Sequence, residues 1–259
     1  MPQVLSKPAT IREQVSEAEW AARVDLAACY RLVDLYGMSD IINNHITMRV
    51  PGEPEHFLIN SHGELYGEVT ASSLYKIHHD GEVILKPRND YGINRAGYVI
   101  HSAIHEARPD VNCIVHTHTR AGMAVAALDC GILPISVTAL RFYGRYGIHE
   151  YEGVTIYDGE KPRLVRSLGD HDLLLLRNHG LLSCGRSIAE AFNIIYNAEQ
   201  ACQIQVDAMG TGAALVYPEE RIRREVAELF VPGVRRTFGE LEWPALLRRL
   251  DAIDSSYRL

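Results

Sequence analysis

Apolar residues along the chain alternate between two spacings, about 3.6 residues in some stretches and two in others. These are the marks of amphipathic helices and half-buried strands. Ser16 and Glu19 form an S-x-x-E capping box. Val24, Ala28, Leu32 and Leu35 follow at helical spacing, and Gly37 stops the helix. Residues 44–50 alternate as a strand, residues 57–59 are apolar, and residues 65–69 read as a further strand after a turn at His62 and Gly63. Thr70 is placed to cap a short helix reaching residue 77, and Asp80 and Gly81 turn the chain into a strand at 83–85. Residues 95–107 are helical up to Pro109, and 111–116 form a β-branched strand. Residues 121–128 make a helix of small side chains. The leucines at 173–176 predict a strand covered on both faces. Ser187 and Glu190 open a second capping box, whose helix ends at Gly210. Pro218 starts another helix to about residue 230, and a last one occupies 244–253. Strands and helices intermix throughout, so the expected class is α/β, a sheet with helices on both faces. No linker divides the chain. We expect a loose arm at 1–15, one domain at 16–210, and a helical extension of that domain at 211–259.

Composition narrows the function classes. The 259 residues are 47% hydrophobic and 23% charged, an ordinary globular balance. A net charge of −7 argues against nucleic-acid binding. No apolar run is long enough for a bilayer, and residues 1–11 lack the apolar centre of a secretory signal. The five cysteines are odd in number and include no C-x-x-C, which fits reduced thiols in a cytoplasm. The expected protein is cytoplasmic and acts on a small molecule. The 12 histidines are the unusual count.

His116-Thr117-His118 stands at the end of a predicted strand. Period-two alternation turns both imidazoles to one side, with Cα atoms roughly 6.5–7 Å apart. They can converge on one ion if a third ligand is supplied. Asn178-His179-Gly180 ends the leucine strand, where the sheet edge opens into a cleft, and His179 is the candidate for that ligand. Three histidines leave positions on zinc, manganese or iron for water and substrate. His101 and His105, four residues apart on a helix, form a competing pair. Their plainer reading is a helix face packed on the His116 strand.

The residues also carry a resemblance. The segments Asn94-Arg95-Ala96-Gly97-Tyr98, His101-Ser102-Ala103-Ile104-His105, Cys113-Ile114-Val115-His116-Thr117-His118-Thr119, Leu175-Leu176-Arg177-Asn178-His179-Gly180-Leu181 and Asn43-Asn44-His45-Ile46-Thr47-Met48-Arg49 resemble the class II aldolase/adducin family. Residues 55–60 and 69–74 look most like its adducin-head branch. The resemblance implies a three-layer α/β/α sandwich around a mixed, mainly antiparallel sheet, commonly in a homotetramer. It also implies a divalent ion, usually zinc, on His116, His118 and His179. Such an ion stabilises the enediolate of a retro-aldol step, and similar charge develops in a decarboxylation.

The chain departs from that pattern. Where sugar-phosphate aldolases carry a Glu as ligand and base, this sequence has Gly97, and no carboxylate lies between Tyr91 and Ile104. Arg95 and Ala96 replace phosphate-holding hydroxyl residues, and the Thr-Gly phosphate turn becomes His62 and Gly63. The resemblance makes His45, His62, Gly63 and Arg95 candidate substrate-lining residues, suited to a carboxylate or phenolic acid. In the Gly-rich stretch 143–153, Tyr143 and His149 are candidate acids, alongside Tyr146 and Tyr151. The expected function is a metal-dependent lyase on a small oxo- or hydroxy-acid or aldehyde. Two alternatives remain: an iron-dependent oxygenase or decarboxylase of an aromatic 2-oxo acid, and a non-catalytic oligomerisation module like the adducin head.

Overall fold

The computed structural model describes residues 9–153 and 158–259. Within them, eight strands form one sheet: β1 His45–Val50, β2 Glu53–Ile59, β3 Tyr75–His78, β4 Val83–Leu85, β5 Cys113–Thr117, β6 Gly147–His149, β7 Leu173–Leu176 and β8 Gly180–Gly185. Their order across the sheet is β4-β3-β2-β1-β5-β8-β7-β6. All neighbours run antiparallel except β6 and β7. The helices are α1 Ile11–Gln14, α2 Glu17–Leu35, α3 Arg95–Ala107, α4 Arg120–Ala126, α5 Val137–Leu140, α6 Lys161–Leu168, α7 Ile188–Gly210, α8 Glu220–Glu228 and α9 Glu242–Ile253.

Strand alternation distributes the core between two layers. Leu173 and Leu175 of β7 join the larger cluster, built with α2, α4 and α7, whereas Leu174 and Leu176 join a cluster with Ile100 and Ile104 of α3 and Leu164 and Leu168 of α6. The four leucines are thus buried on both faces, as their unbroken apolar run predicts. On β1, Ile46 and Val50 point into the larger cluster. That leaves His45, Thr47 and Arg49 on the face toward α3. The result is the expected three-layer α/β/α sandwich with a mixed, mainly antiparallel sheet.

Several local readings of the sequence are corrected. Residues 65–69 are no strand; they hold a single 3-10 turn, Tyr66–Glu68. The helix expected from Thr70 to residue 77 is a 3-10 turn, Ala71–Ser73, followed by β3. Tyr75 and Ile77 pair with Ile59 and Phe57 on β2 and share their core cluster, so long-range pairing overrides the local cap. β6 lies in the stretch read as loop, and β8 carries no alternation because both its faces are buried. Part of the expected loose arm is held: Thr10 forms a capping box with Glu13, and Ile11 is buried. Residues 1–8 lie outside the described residues. At the other end, α9 packs on α2 and α7. Tyr257 is fully buried with its hydroxyl donating to Asp251.

Candidate metal centre

Two local structures bring three imidazoles together. β5 carries His116 and passes directly to His118, while β8 lies beside it with Thr117 opposite Leu181. The turn joining β7 to β8 holds His179. Asn178 takes φ 54°, a conformation that asparagine tolerates, and the His179 N–H closes onto the Leu176 carbonyl at 3.1 Å. Gly180 then passes so close to β5 that a Cβ there would stand 2.2 Å from the Thr117 carbonyl oxygen. Glycine is what lets this turn reach the end of β5. The Nε2 atoms end 2.8 Å (His116–His118), 3.0 Å (His118–His179) and 3.3 Å (His116–His179) apart.

The partners of the other ring nitrogens fix what those Nε2 atoms are. His116 Nδ1 donates to the Leu181 carbonyl at 2.9 Å, and His118 Nδ1 donates to Asp40 Oδ2 at 3.1 Å. A neutral imidazole has one N–H, so both Nε2 atoms present lone pairs. Burial, then the neighbouring His179, His45 and His118, hold the His116 imidazole far below its usual range. Burial, then His118 and His149, push His179 down to about 4. The converging lone pairs of His116 and His118 repel unless a cation, or an N–H of His179, sits among them. Three nitrogens bound at about 2.0–2.1 Å and at right angles around one ion stand about 3 Å apart. The donor set therefore fits a divalent metal, and Asp40 and the Leu181 carbonyl orient two of its ligands.

A second imidazole group lies beside it. His45 on β1 stands opposite His116 on β5, with ring centroids 4.9 Å apart. It heads a row that runs under α3. His105 Nδ1 donates to the Val111 carbonyl at 3.3 Å, so its Nε2 accepts from the Thr47 hydroxyl at 2.9 Å. The Thr47 oxygen then accepts from His101 Nδ1 at 2.7 Å, and His101 Nε2 accepts from His45 Nδ1 at 2.9 Å. Arg49 approaches His105 Nδ1 at 3.5 Å, but its Nη2 has a better acceptor in the His105 carbonyl at 2.7 Å. That weak contact does not reverse the row. The polarity set at Val111 leaves a lone pair on His45 Nε2. Burial dominates in holding His45, His101 and His105 below their usual range, His105 at about 3.

Gly97 explains how His45 fits. A Cβ at that position would lie 2.2 Å from His45 Cδ2 and 2.5 Å from its Nε2. The imidazole thus occupies the space in front of the residue where the family resemblance expects a Glu.

The remaining candidates divide. His62 is half-buried and near enough to His45 to oppose its protonation. Gly63 packs against the Tyr91 ring. Arg95 is not brought to the imidazoles: it is exposed and lines a separate cavity with His79, Asp80 and Glu106. The reason is helical geometry, since residues two apart on α3 face different ways and Gly97 is the one turned to His45. Tyr143 is also placed elsewhere, donating to Glu220 at 2.7 Å in the C-terminal extension. His149 does line a cleft with His179 and Tyr151, and its Nε2 lies 3.1 Å from Glu160. His101 and His105 are packing and hydrogen-bonding residues, not a rival ligand pair. Asp40, Thr47 and Glu160 escaped the sequence reading, because no local pattern marks a carboxylate or hydroxyl that meets a histidine only in the fold.

Known proteins agree with this architecture. Residues 24–206 match the model of the Class II Aldolase and Adducin N-terminal domain. A Pseudomonas aeruginosa protein, named provisionally as an aldolase class 2 protein, is 47% identical over the whole of both chains. Rat alpha-adducin is 43% identical over 250 residues, which make up 91% of this chain and 34% of the adducin. A crystal structure of an aldolase II superfamily protein from Pseudomonas syringae superposes with TM-score 0.90 at 45% identity, covering 97% of this chain and all of that one. The L-fuculose 1-phosphate aldolase from Glaciozyma antarctica shares the fold, with TM-score 0.82 at 24% identity over 98% of this chain and 96% of its own. On these grounds the chain belongs to the class II aldolase/adducin family.

Proposed function

We propose that this protein is a divalent-metal-dependent carbon–carbon lyase acting on a small oxo- or hydroxy-acid or aldehyde, by aldol cleavage or decarboxylation. The observation that carries this reading is the convergence of the His116, His118 and His179 Nε2 atoms within 3.3 Å of one another, two of them presenting lone pairs. When bound there, zinc, manganese or iron supplies Lewis-acid stabilisation of an oxyanion next to the breaking bond. His116, His118 and His179 hold the ion, and Asp40 keeps His118 in the ligating tautomer. His45 stands in the place of the missing Glu: its Nε2 lone pair accepts a hydrogen bond from a substrate hydroxyl, while burial disfavours its taking the proton. His149, paired with Glu160, lines a cleft with His179 and is the candidate proton donor. His62 lines the side next to His45. Decarboxylation suits this set best, because loss of carbon dioxide needs no base to ionise a hydroxyl. The family association makes a homotetramer the expected assembly.

Elemental analysis of protein purified without chelator, followed by assays with aldehyde–pyruvate pairs and aromatic carboxylic acids, tests the proposal. About one transition metal per chain and turnover of any such substrate supports it. Iron with oxygen uptake would move the reading to an oxygenase. The likeness to alpha-adducin over 91% of this chain favours one further reading, an assembly module without chemistry. A metal-free, inactive oligomer would support that reading and overturn the lyase.

A further inference from the structure

Five arginines, Arg141, Arg145, Arg186, Arg235 and Arg236, line one cavity of about 480 Å³ far from the histidines. Leu173 at the start of β7 and Arg186 just beyond β8 form part of its wall, whereas His179 lies past the other end of these strands. A four-residue strand, about 13 Å long, separates the two places. The C-terminal extension closes the cavity through residues 230–238.

Charge accounting at this cavity does not balance. Arg186 is engaged by Glu190 at 3.2 Å and Asp172 at 3.9 Å, and Arg236 by Glu242 at 3.0 Å. Arg141, Arg145 and Arg235 have no carboxylate at ion-pair distance among the described residues. Arg141 donates to Asn193 Oδ1 at 2.6 Å, and Arg145 donates to the Phe230 carbonyl at 3.2 Å. Against these three, Asp170 is the lining carboxylate without an ion pair, and it is exposed. Arg141 is the decisive residue. It is 7% exposed, with its guanidinium 4.5 Å from the Phe238 ring centroid and 5.3 Å from that of Phe230. Aromatic faces stabilise a cation by less than the cost of burying an unneutralised charge. Burial accordingly pushes Arg141 down to about 10, with Glu190 and Asp172 opposing it from a distance.

We infer that this cavity binds a small phosphorylated compound, its phosphate held by Arg141, Arg145 and Arg235. Five arginines against Asp170, Asp172, Glu190 and Glu242 leave the wall net positive, which favours an anion such as phosphate. Guanidinium forks fit its oxygens, and the volume leaves room for an organic remainder. The inference stands apart from the lyase reading and uses none of its residues.

Titration calorimetry of inorganic phosphate into the metal-loaded protein, at constant ionic strength, tests it. The expected result is saturable binding at this cavity, weakened about tenfold or more by Arg145→Ala and by Arg235→Ala, since each removes a charge-assisted hydrogen bond. Neither side chain is buried, so both variants should fold, which a thermal melt verifies. His179→Ala should bind phosphate as the wild type does. Absence of saturable binding overturns the inference and would be the result if a second copy of the chain fills the cavity. Binding that survives both arginine changes, or disappears in His179→Ala, overturns it equally.

Discussion

Two groups of three histidines lie side by side on one face of the sheet, and they obey opposite rules. In the row His45–His101–His105, ring nitrogens are matched donor to acceptor through Thr47 to the Val111 carbonyl, leaving one lone pair at the end. In the cluster His116–His118–His179, three Nε2 atoms face each other, and the Nδ1 partners of His116 and His118 turn two lone pairs inward. His101 and His116 are both fully buried, so neither burial nor residue type separates the groups. Donor–acceptor balance does. A satisfied row rigidifies and orients, whereas converging lone pairs make a group that could hold a cation.

The largest test breaks the unsatisfied group. His116→Ala or His179→Ala should reduce bound metal from about one per chain to near zero, a heavier loss than the roughly 10–100-fold caused by changing a group that only orients a ligand. Circular dichroism should show the fold retained. Metal retained at full occupancy in either variant refutes the ligand set. His101→Gln in the satisfied row should leave metal content unchanged.

Acid should expose the row next. An unfolded histidine titrates near 6.5, but His45, His101 and His105 are held lower by burial. Above pH 6.5 both states are neutral and the shifts have no effect. As pH falls below that value, the unfolded chain takes up protons that the folded one refuses, so stability drops. The slope is about 1.4 kcal/mol per pH unit for each such imidazole, continuing for His105 toward about pH 3. Thermal melts of chelator-treated protein between pH 7 and 4 measure it. A flat profile contradicts the neutral row, and His105→Gln should make the wild-type profile shallower.

A smaller effect comes from Gly97→Ala, whose Cβ collides with the His45 ring. Overpacking of this kind costs about 1–3 kcal/mol, readable by denaturant titration. His45→Gly should relieve it. If Gly97→Ala is as stable as wild type, the ring does not occupy that space. The mildest test is Asp40→Ala, which frees His118 Nδ1 from its carboxylate. Metal affinity should fall by about 10–100-fold with little change in melting temperature. An unchanged affinity would make Asp40 a bystander.

Legibility in the sequence followed the range of the interactions. His116 and His118 were readable because a period of two guarantees a shared face. His179 was readable because a leucine strand must end in a turn before Gly180. The capping contact of Ser187 with the Glu190 N–H was readable because it spans three residues. β3 was misread because Thr70 offers a local cap, while the pairing of Ile77 with Phe57 crosses a much longer loop. Arg95 is grouped with the imidazoles because the family resemblance puts phosphate-holding residues there, and the helix turns it elsewhere.

By itself, the sequence determined the alternation of helices and strands, the double-sided burial of β7, and the pair of imidazoles on one strand. Those follow from backbone periodicity and from where leucine, glycine and proline stand. The tertiary structure alone decided that Asp40 meets His118 across 78 residues, that His45 fills the space before Gly97, and that Arg141, Arg145 and Arg235 face one cavity without ion-pair partners among the described residues. Tautomer, protonation and charge balance depend on which groups share a low-dielectric interior, and that is set by packing between layers rather than by order along the chain.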